Sequence, residues 1–151
     1  MLNKGDQFPD FALENQSGEV ITKESLKGSK AILYFYPRDN TPTCTTEACD
    51  FRDNIKMFDD LDIKVFGISA DSKRKHQNFI NKHDLNFDLL VDEDYKLSDE
   101  VGVYQVKKNF GKTSKGIVRT TFVIDESGTI IDVIEKVKVK TQMDEIKDIL
   151  G

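Results

Sequence analysis

Cys44 and Cys49 are the two residues of this 151-residue chain best suited to chemistry of their own. They stand in the stretch Pro37-Arg38-Asp39-Asn40-Thr41-Pro42-Thr43-Cys44-Thr45-Thr46-Glu47-Ala48-Cys49, directly after the apolar run Ala31-Ile32-Leu33-Tyr34-Phe35-Tyr36. That order predicts a strand, a turn and a helix start. Thr41 is a favoured N-cap residue, and Pro42 suits the first helical position, where a missing N–H costs nothing. Cys44 then falls in the first turn, where unpaired N–H groups and the macrodipole favour negative charge. The nucleophilic form of cysteine is the thiolate, so this is a place for a reactive sulfur.

A packing explanation competes with the chemical one. Cys44, Ala48, Phe51, Ile55 and Phe58 recur at four-three-four-three spacing, an apolar stripe on a helix running to about Asp59. A free cysteine on such a stripe is also an ordinary small buried hydrophobe. The stripe alone does not choose between the two; the helix N-terminus and the neighbouring Thr41 favour the thiolate. Cys49 lies off the stripe, roughly 140° round the helix from Cys44 at about 100° per residue. Helix geometry puts the two Cα atoms roughly 8.5 Å apart, beyond the ~7 Å limit for a disulfide without backbone movement. If the sulfurs ever join, the first turns of this helix must unwind. A C-x-x-C redox motif needs less distortion.

The elements that must hold these residues read as α/β. Asp10-Phe11-Ala12-Leu13 and Val20-Ile21-Thr22 flank the turn-forming Asn15-Gln16-Ser17-Gly18, an N-terminal β-hairpin, and Thr22 to Leu26 suit a short helical turn. Ala31–Tyr36 has the continuous apolarity of a strand covered on both faces, and Ile63–Ile68 repeats it. Asp71 or Ser72 can cap a helix from about Lys73 to His83. Phe87–Val91 fits a short strand and Tyr95–Val101 a short helix. Lys107–Gly116, with Gly111, Gly116 and four lysines, reads as an exposed loop. Thr120–Ile124 and Thr129–Ile134 flank Asp125-Glu126-Ser127-Gly128 as a second hairpin. Glu135–Lys140 suits a strand end with its lysines in water, and Gln142–Leu150 a closing helix.

Two strand-helix-strand passages followed by a hairpin and a helix are the thioredoxin-like order: a central mixed β-sheet flanked by helices, in one domain spanning 1–151. In that arrangement the strand near Thr120 runs antiparallel to Ala31–Tyr36. Arg119 is thereby delivered beside Cys44, although 75 positions away in sequence.

Composition narrows the class. Lys and Arg number 22 against 27 Asp and Glu, a net charge of −5 that gives no footprint for nucleic acid or an anionic membrane. No N-terminal segment has the apolar core of a signal peptide and no run approaches a membrane span, which makes a cytoplasmic protein the expectation. Thiols are kept reduced there, so two cysteines speak for catalysis or sensing rather than a structural staple. Without a secretory signal, Asn15-Gln16-Ser17 is not read as a glycosylation site.

Tyr36-Pro37-Arg38-Asp39-Asn40-Thr41-Pro42-Thr43-Cys44-Thr45-Thr46-Glu47-Ala48-Cys49, together with Gly116-Ile117-Val118-Arg119-Thr120-Thr121-Phe122-Val123-Ile124-Asp125, resembles a peroxiredoxin of the bacterioferritin comigratory protein, or peroxiredoxin Q, group. The family motif of Pro, three residues, Thr or Ser, two residues and Cys is met by Pro37, Thr41 and Cys44. Thr43 stands where many relatives have glycine. The resemblance implies a thioredoxin-like fold and reduction of hydrogen peroxide and organic hydroperoxides, with thioredoxin as reductant and no metal or organic cofactor. It also implies that Cys44 is the peroxidatic cysteine and Cys49 the resolving one, joined within one subunit. Thr41, Pro37 and Arg119 complete the site, and a monomer is expected. A thiol-disulfide oxidoreductase and a non-enzymatic redox-sensing module are the alternatives.

Other residues read as bland. Glu47 suits a solvated helix position, and His76 and His83 suit a helix surface, roughly 10.5 Å apart and too far to share a metal ion easily. Lys136, Lys138 and Lys140 suit edge-strand protection. Gly111-Lys112-Thr113 fails as a phosphate loop because Val106 occupies the place of the first glycine.

Overall fold

The computed structural model describes Met1–Gly151 apart from the side chain of Asn109. The chain opens with the expected hairpin, β1 (Ala12–Glu14) antiparallel to β2 (Val20–Thr22). Asn15 Oδ1 closes its turn by accepting from the N–H groups of Ser17 and Glu19. The short helix α1 (Lys23–Leu26) is capped by the Thr22 hydroxyl, which accepts from Ser25 N at 3.1 Å.

β3 (Lys30–Phe35) has Ala31, Leu33 and Phe35 in one apolar cluster and Ile32 and Tyr34 in the other. Period-two alternation with both faces apolar is what makes a strand central. From it the chain passes into α2 (Pro42–Asp60) and returns as β4 (Ile63–Ser69), parallel to β3. α3 (Lys73–His83), capped by the Ser72 hydroxyl, leads to β5 (Asp88–Val91), parallel to β4. α4 (Lys96–Val101), β6 (Tyr104–Asn109) and β7 (Lys112–Ile117) follow, then β8 (Thr120–Ile124), β9 (Ile130–Ile134) and α5 (Val139–Leu150). The central sheet has the order β5-β4-β3-β8-β9, with β8 antiparallel to both of its neighbours. Helices cover both faces: Ala48, Phe51, Phe58, Phe79 and Ile146 of α2, α3 and α5 pack on one, Leu26, Leu97 and Val101 of α1 and α4 on the other. This is the mixed sheet expected from the sequence.

The α2 stripe is buried along its length, from Cys44 (2% exposed) through Ala48, Phe51 and Ile55 to Phe58 (0%). Each large apolar side chain so buried contributes roughly 1.5–3 kcal/mol relative to exposure. Beneath the helix the Tyr34 ring stacks on Phe51 with centroids 4.5 Å apart. That ring lies across Gly67 of β4, where a Cβ would come within 2.9 Å of Tyr34 Cζ and 2.8 Å of Leu89 Cδ2.

Two segments depart from the sequence expectation. The stretch read as an exposed loop, Lys107–Gly116, is most of a β-hairpin, β6 paired antiparallel with β7. Its turn residues Phe110 and Gly111 both have positive φ (52° and 76°), the two-residue geometry that matches strand twist. The Glu135–Lys140 stretch does not prolong a strand: β9 ends at Ile134, Lys136 takes left-handed backbone (φ 49°), and α5 begins at Val139. Lys136, Lys138 and Lys140 therefore lie on that connection and the helix start, not along the sheet edge.

Candidate active site

β3, α2 and β8 place the cysteine stretch and Arg119 together. β3 ends at Phe35, and the chain crosses Tyr36–Thr41 before α2 starts with Pro42 in its first turn. Pro37 is half-buried just past the strand. Thr41 is the N-cap by backbone, its carbonyl accepting from Thr45 N at 2.8 Å. Its side chain makes no cap bond, contrary to the capping role expected of it; the hydroxyl donates to Arg38 O at 3.2 Å. That leaves the hydroxyl's acceptor capacity unused at the mouth of the helix.

Because β8 runs antiparallel to β3, with Phe35 opposite Thr120, Arg119 arrives at the same sheet end as Cys44. Its Nη2 donates to Cys44 Sγ at 3.1 Å and its Nη1 to Glu47 Oε1 at 2.6 Å. The topology thus juxtaposes residues 75 apart, as the sequence led one to expect. Cys49 is half-buried further along α2, and both cysteines are free thiols.

Glu47 is the residue that sequence reasoning misplaced. It is fully buried, not solvated, and each carboxylate oxygen has a donor: Arg119 Nη1 on Oε1 and Gln142 Nε2 on Oε2 at 2.8 Å. Thr121 in turn donates to Gln142 Oε1. A continuous chain of hydrogen bonds therefore runs from β8 through α5 and α2 to Arg119 and the sulfur. Burial pushes the Glu47 carboxyl up, while Arg119 and Gln142 pull it back; two N–H donors on two oxygens suit the ionised form. Burial would depress Arg119, but Glu47 and Cys44 beside it outweigh that and hold the guanidinium above its ordinary value. Arg119 is a permanent cation locked by its fork to two partners. The available signal for Glu47 was its position three residues after Cys44, on the same helix face.

His76 is the second correction. It is fully buried rather than a surface histidine, with Nδ1 2.6 Å from Asp39 Oδ2 and Nε2 2.9 Å from Leu90 O. Tyr34, under α2, has the one buried side-chain polar atom without a partner among the described residues, and burial pushes its phenol well up. An open cleft of about 400 Å³, lined by Pro42, Thr43, Thr46, Val139 and Lys140, adjoins the first turn of α2.

The arrangement can hold negative charge on a sulfur and on an atom bonded to it. Helix N–H groups and a fixed guanidinium converge there with little water, which strengthens each interaction.

Comparison with known proteins agrees. The model of the AhpC/TSA family matches residues 4–133. The chain is 48% identical to peroxiredoxin Bcp of Bacillus subtilis (strain 168) over 141 residues, 93% of this chain and 90% of that one. A cysteine-to-serine variant of PrxQ from Xylella fastidiosa superposes with a TM-score of 0.93 at 29% identity, covering 99% of this chain and 96% of its own. The bacterioferritin comigratory protein of Xanthomonas campestris, known in trapped-intermediate and ligand complexes that bear on its alkyl peroxide reduction activity, superposes at 0.86 with 34% identity, over 90% of this chain and 87% of that one. With the cysteine stretch at a helix N-terminus, Arg119 against the sulfur and this likeness along nearly its whole length, the chain belongs to the AhpC/TSA family, as a peroxiredoxin of the bacterioferritin comigratory protein and peroxiredoxin Q group.

Proposed function

We propose that this peroxiredoxin reduces hydrogen peroxide and alkyl hydroperoxides at Cys44, the peroxidatic cysteine, with Cys49 as the resolving one. The observation that carries the reading is the Arg119 Nη2 to Cys44 Sγ contact of 3.1 Å at the first turn of α2. The Cys44 thiolate attacks one peroxide oxygen; the S–O bond forms as the O–O bond breaks. Hydroxide or alkoxide leaves, takes a proton and departs as water or alcohol. Cys44 is oxidised to a sulfenic acid and the peroxide is reduced. Arg119 stabilises charge on the sulfur and on the departing oxygen, the Thr41 hydroxyl binds the peroxide, and Pro37 shields the sulfur from water.

Cys49 then attacks Cys44 Sγ, an S–S bond replaces the S–O bond, and water leaves with the thiol proton. The step needs the start of α2 to unwind, since roughly 8.5 Å separates the two Cα positions on an intact helix against a limit of ~7 Å. Thioredoxin, a dithiol, returns the disulfide to two thiols. The cleft beside the first turn of α2 gives the organic part of a hydroperoxide a place to lie. The reading extends to a single catalytic domain over 1–151 that works as a cytoplasmic monomer. No described helix is long and apolar enough to cross a membrane.

The test is peroxide-dependent NADPH consumption with thioredoxin and its reductase. Wild type turns over and Cys44→Ser does not; Cys49→Ser makes a sulfenic acid that dimedone traps but does not cycle through thioredoxin. Full turnover in Cys44→Ser would defeat the assignment.

A further inference from the structure

Asp39 sits midway along the Tyr36–Thr41 connection, the segment that carries Pro37 and Thr41 and leads into Cys44. Its side chain is only 2% exposed. Oδ1 accepts from the Tyr36 hydroxyl at 2.5 Å, Oδ2 faces His76 Nδ1 at 2.6 Å, and the Asp39 N–H donates to Asp71 Oδ2 at 2.6 Å. Asp71 is itself held by the Ser69 hydroxyl at 3.1 Å. Across the ring, His76 Nε2 lies 2.9 Å from Leu90 O. A carbonyl only accepts, so Nε2 carries a proton, and a second proton lies between Nδ1 and Asp39 Oδ2 to join them. Burial pushes the Tyr36 phenol well up, which keeps it a donor to Asp39. The connection is thus bolted to the end of β4, to α3 and to β5. The next residue, Asn40, turns it through left-handed backbone (φ 61°) towards Thr41.

A buried histidine–aspartate pair is an expensive way to fill a core, since each polar group must be fully partnered to offset its desolvation. This one touches neither Cys44 nor Arg119. What it holds is the loop. Resting on the Cys44 and Cys49 roles proposed above, we propose that His76 is a positioning residue of the peroxide reaction. Through Asp39 it keeps Pro37–Thr41 folded while Cys44 attacks, and it opposes the unwinding of α2 that lets Cys44 meet Cys49. The two chemical steps pull on this clamp in opposite directions. Attack needs the folded loop, with Thr41 and Arg119 set around the sulfur. Joining needs the start of the helix released, and a loop freed at Asp39 gives the unwound segment more reach.

The experiment follows the two steps separately by quenched flow and mass spectrometry: dimedone-trapped Cys44 in a Cys49→Ser background, and Cys44–Cys49 disulfide in the protein with both cysteines. His76→Phe keeps a ring in the cavity but leaves Asp39 Oδ2 without a partner. It slows sulfenic acid formation about tenfold or more, as a displaced catalytic loop does, and speeds disulfide formation severalfold. Tyr36→Phe removes one bond to Asp39 with little loss of volume and moves both rates the same way by less, so the proposal stands or falls even if His76→Phe does not fold. Asp39→Asn can still accept from Tyr36 and donate to a neutral His76, and retains more of the first step than His76→Phe. Both steps slowing together, or neither changing, in the foldable variants overturns the clamp while leaving Cys44's role intact. A wild type that gives no dimedone adduct overturns that role instead, and the clamp with it.

Discussion

Two clusters of buried charge flank the loop between β3 and α2, and they end on different things. One runs Thr121, Gln142, Glu47, Arg119 and finishes on Cys44 Sγ. The other runs Leu90, His76, Asp39, Tyr36 and finishes on the backbone that carries Pro37 and Thr41. Both bury a carboxyl group against a side-chain nitrogen at 2.6 Å. Only the first places a charge on the reacting atom. Burial cost is therefore accepted twice at this end of the sheet, once to set the field at a sulfur and once to set the shape of the loop that presents it.

If the first cluster acts through charge, losing that charge costs far more than losing any one of its supports. Arg119→Met lowers the rate constant of Cys44 with hydrogen peroxide by about 10²–10³-fold, the scale of removing one transition-state donor, while circular dichroism shows the fold retained. Arg119→Lys restores only part of this, because an ammonium lacks the fork that reaches both Cys44 and Glu47. A rate unchanged in Arg119→Met would erase the distinction between the clusters.

Glu47→Gln is the next largest effect. The amide cannot accept from both Arg119 and Gln142 without a donor–donor clash, so the guanidinium loses its fixed aim and peroxide reactivity drops about tenfold. The same substitution carries a pH signature. Glu47 is raised above its ordinary 4.5 in the fold, so the folded state holds its proton more tightly than the unfolded one. Its contribution to stability is fully present below that ordinary value and is lost as pH rises through the raised one. Urea denaturation of wild type relative to Glu47→Gln therefore favours wild type increasingly as pH falls from neutrality towards 4.5. A difference that is flat or reversed with pH would remove the assigned burial cost.

The smallest effect on chemistry belongs to Gly67→Ala, in β4 against the Tyr34 ring. The new methyl meets Tyr34 and Leu89 closer than 3.0 Å. It costs stability by about 1–3 kcal/mol, measured by denaturation, through overpacking alone. Peroxide reactivity stays within a few-fold of wild type, because Cys44, Arg119 and Asp39 keep their partners.

The sequence pattern carried the frame and the sulfur. The stripe from Cys44 to Phe58 is a local periodicity, and β8 beside β3 follows from chain order; together they predict Arg119 beside Cys44. The buried groups that support the site were not legible for a common reason. Glu47 and His76 look like solvated helix residues because their partners lie 72 and 37 positions away, and burial of a charge depends on a partner that local spacing does not reveal. Thr41 has the letter of a capping residue but turns its hydroxyl to Arg38 O. The β6–β7 hairpin was hidden by lysines on both strands and by Phe110 at a left-handed turn position more often filled by asparagine or glycine.

The central claim is tested most directly by one equivalent of hydrogen peroxide added to Cys49→Ser in the presence of dimedone, with the adduct located by peptide mass spectrometry. The account predicts a single adduct on Cys44, formed rapidly and absent when Cys44 is also replaced by serine. A Cys44 that stays unmodified while the peroxide persists would contradict it.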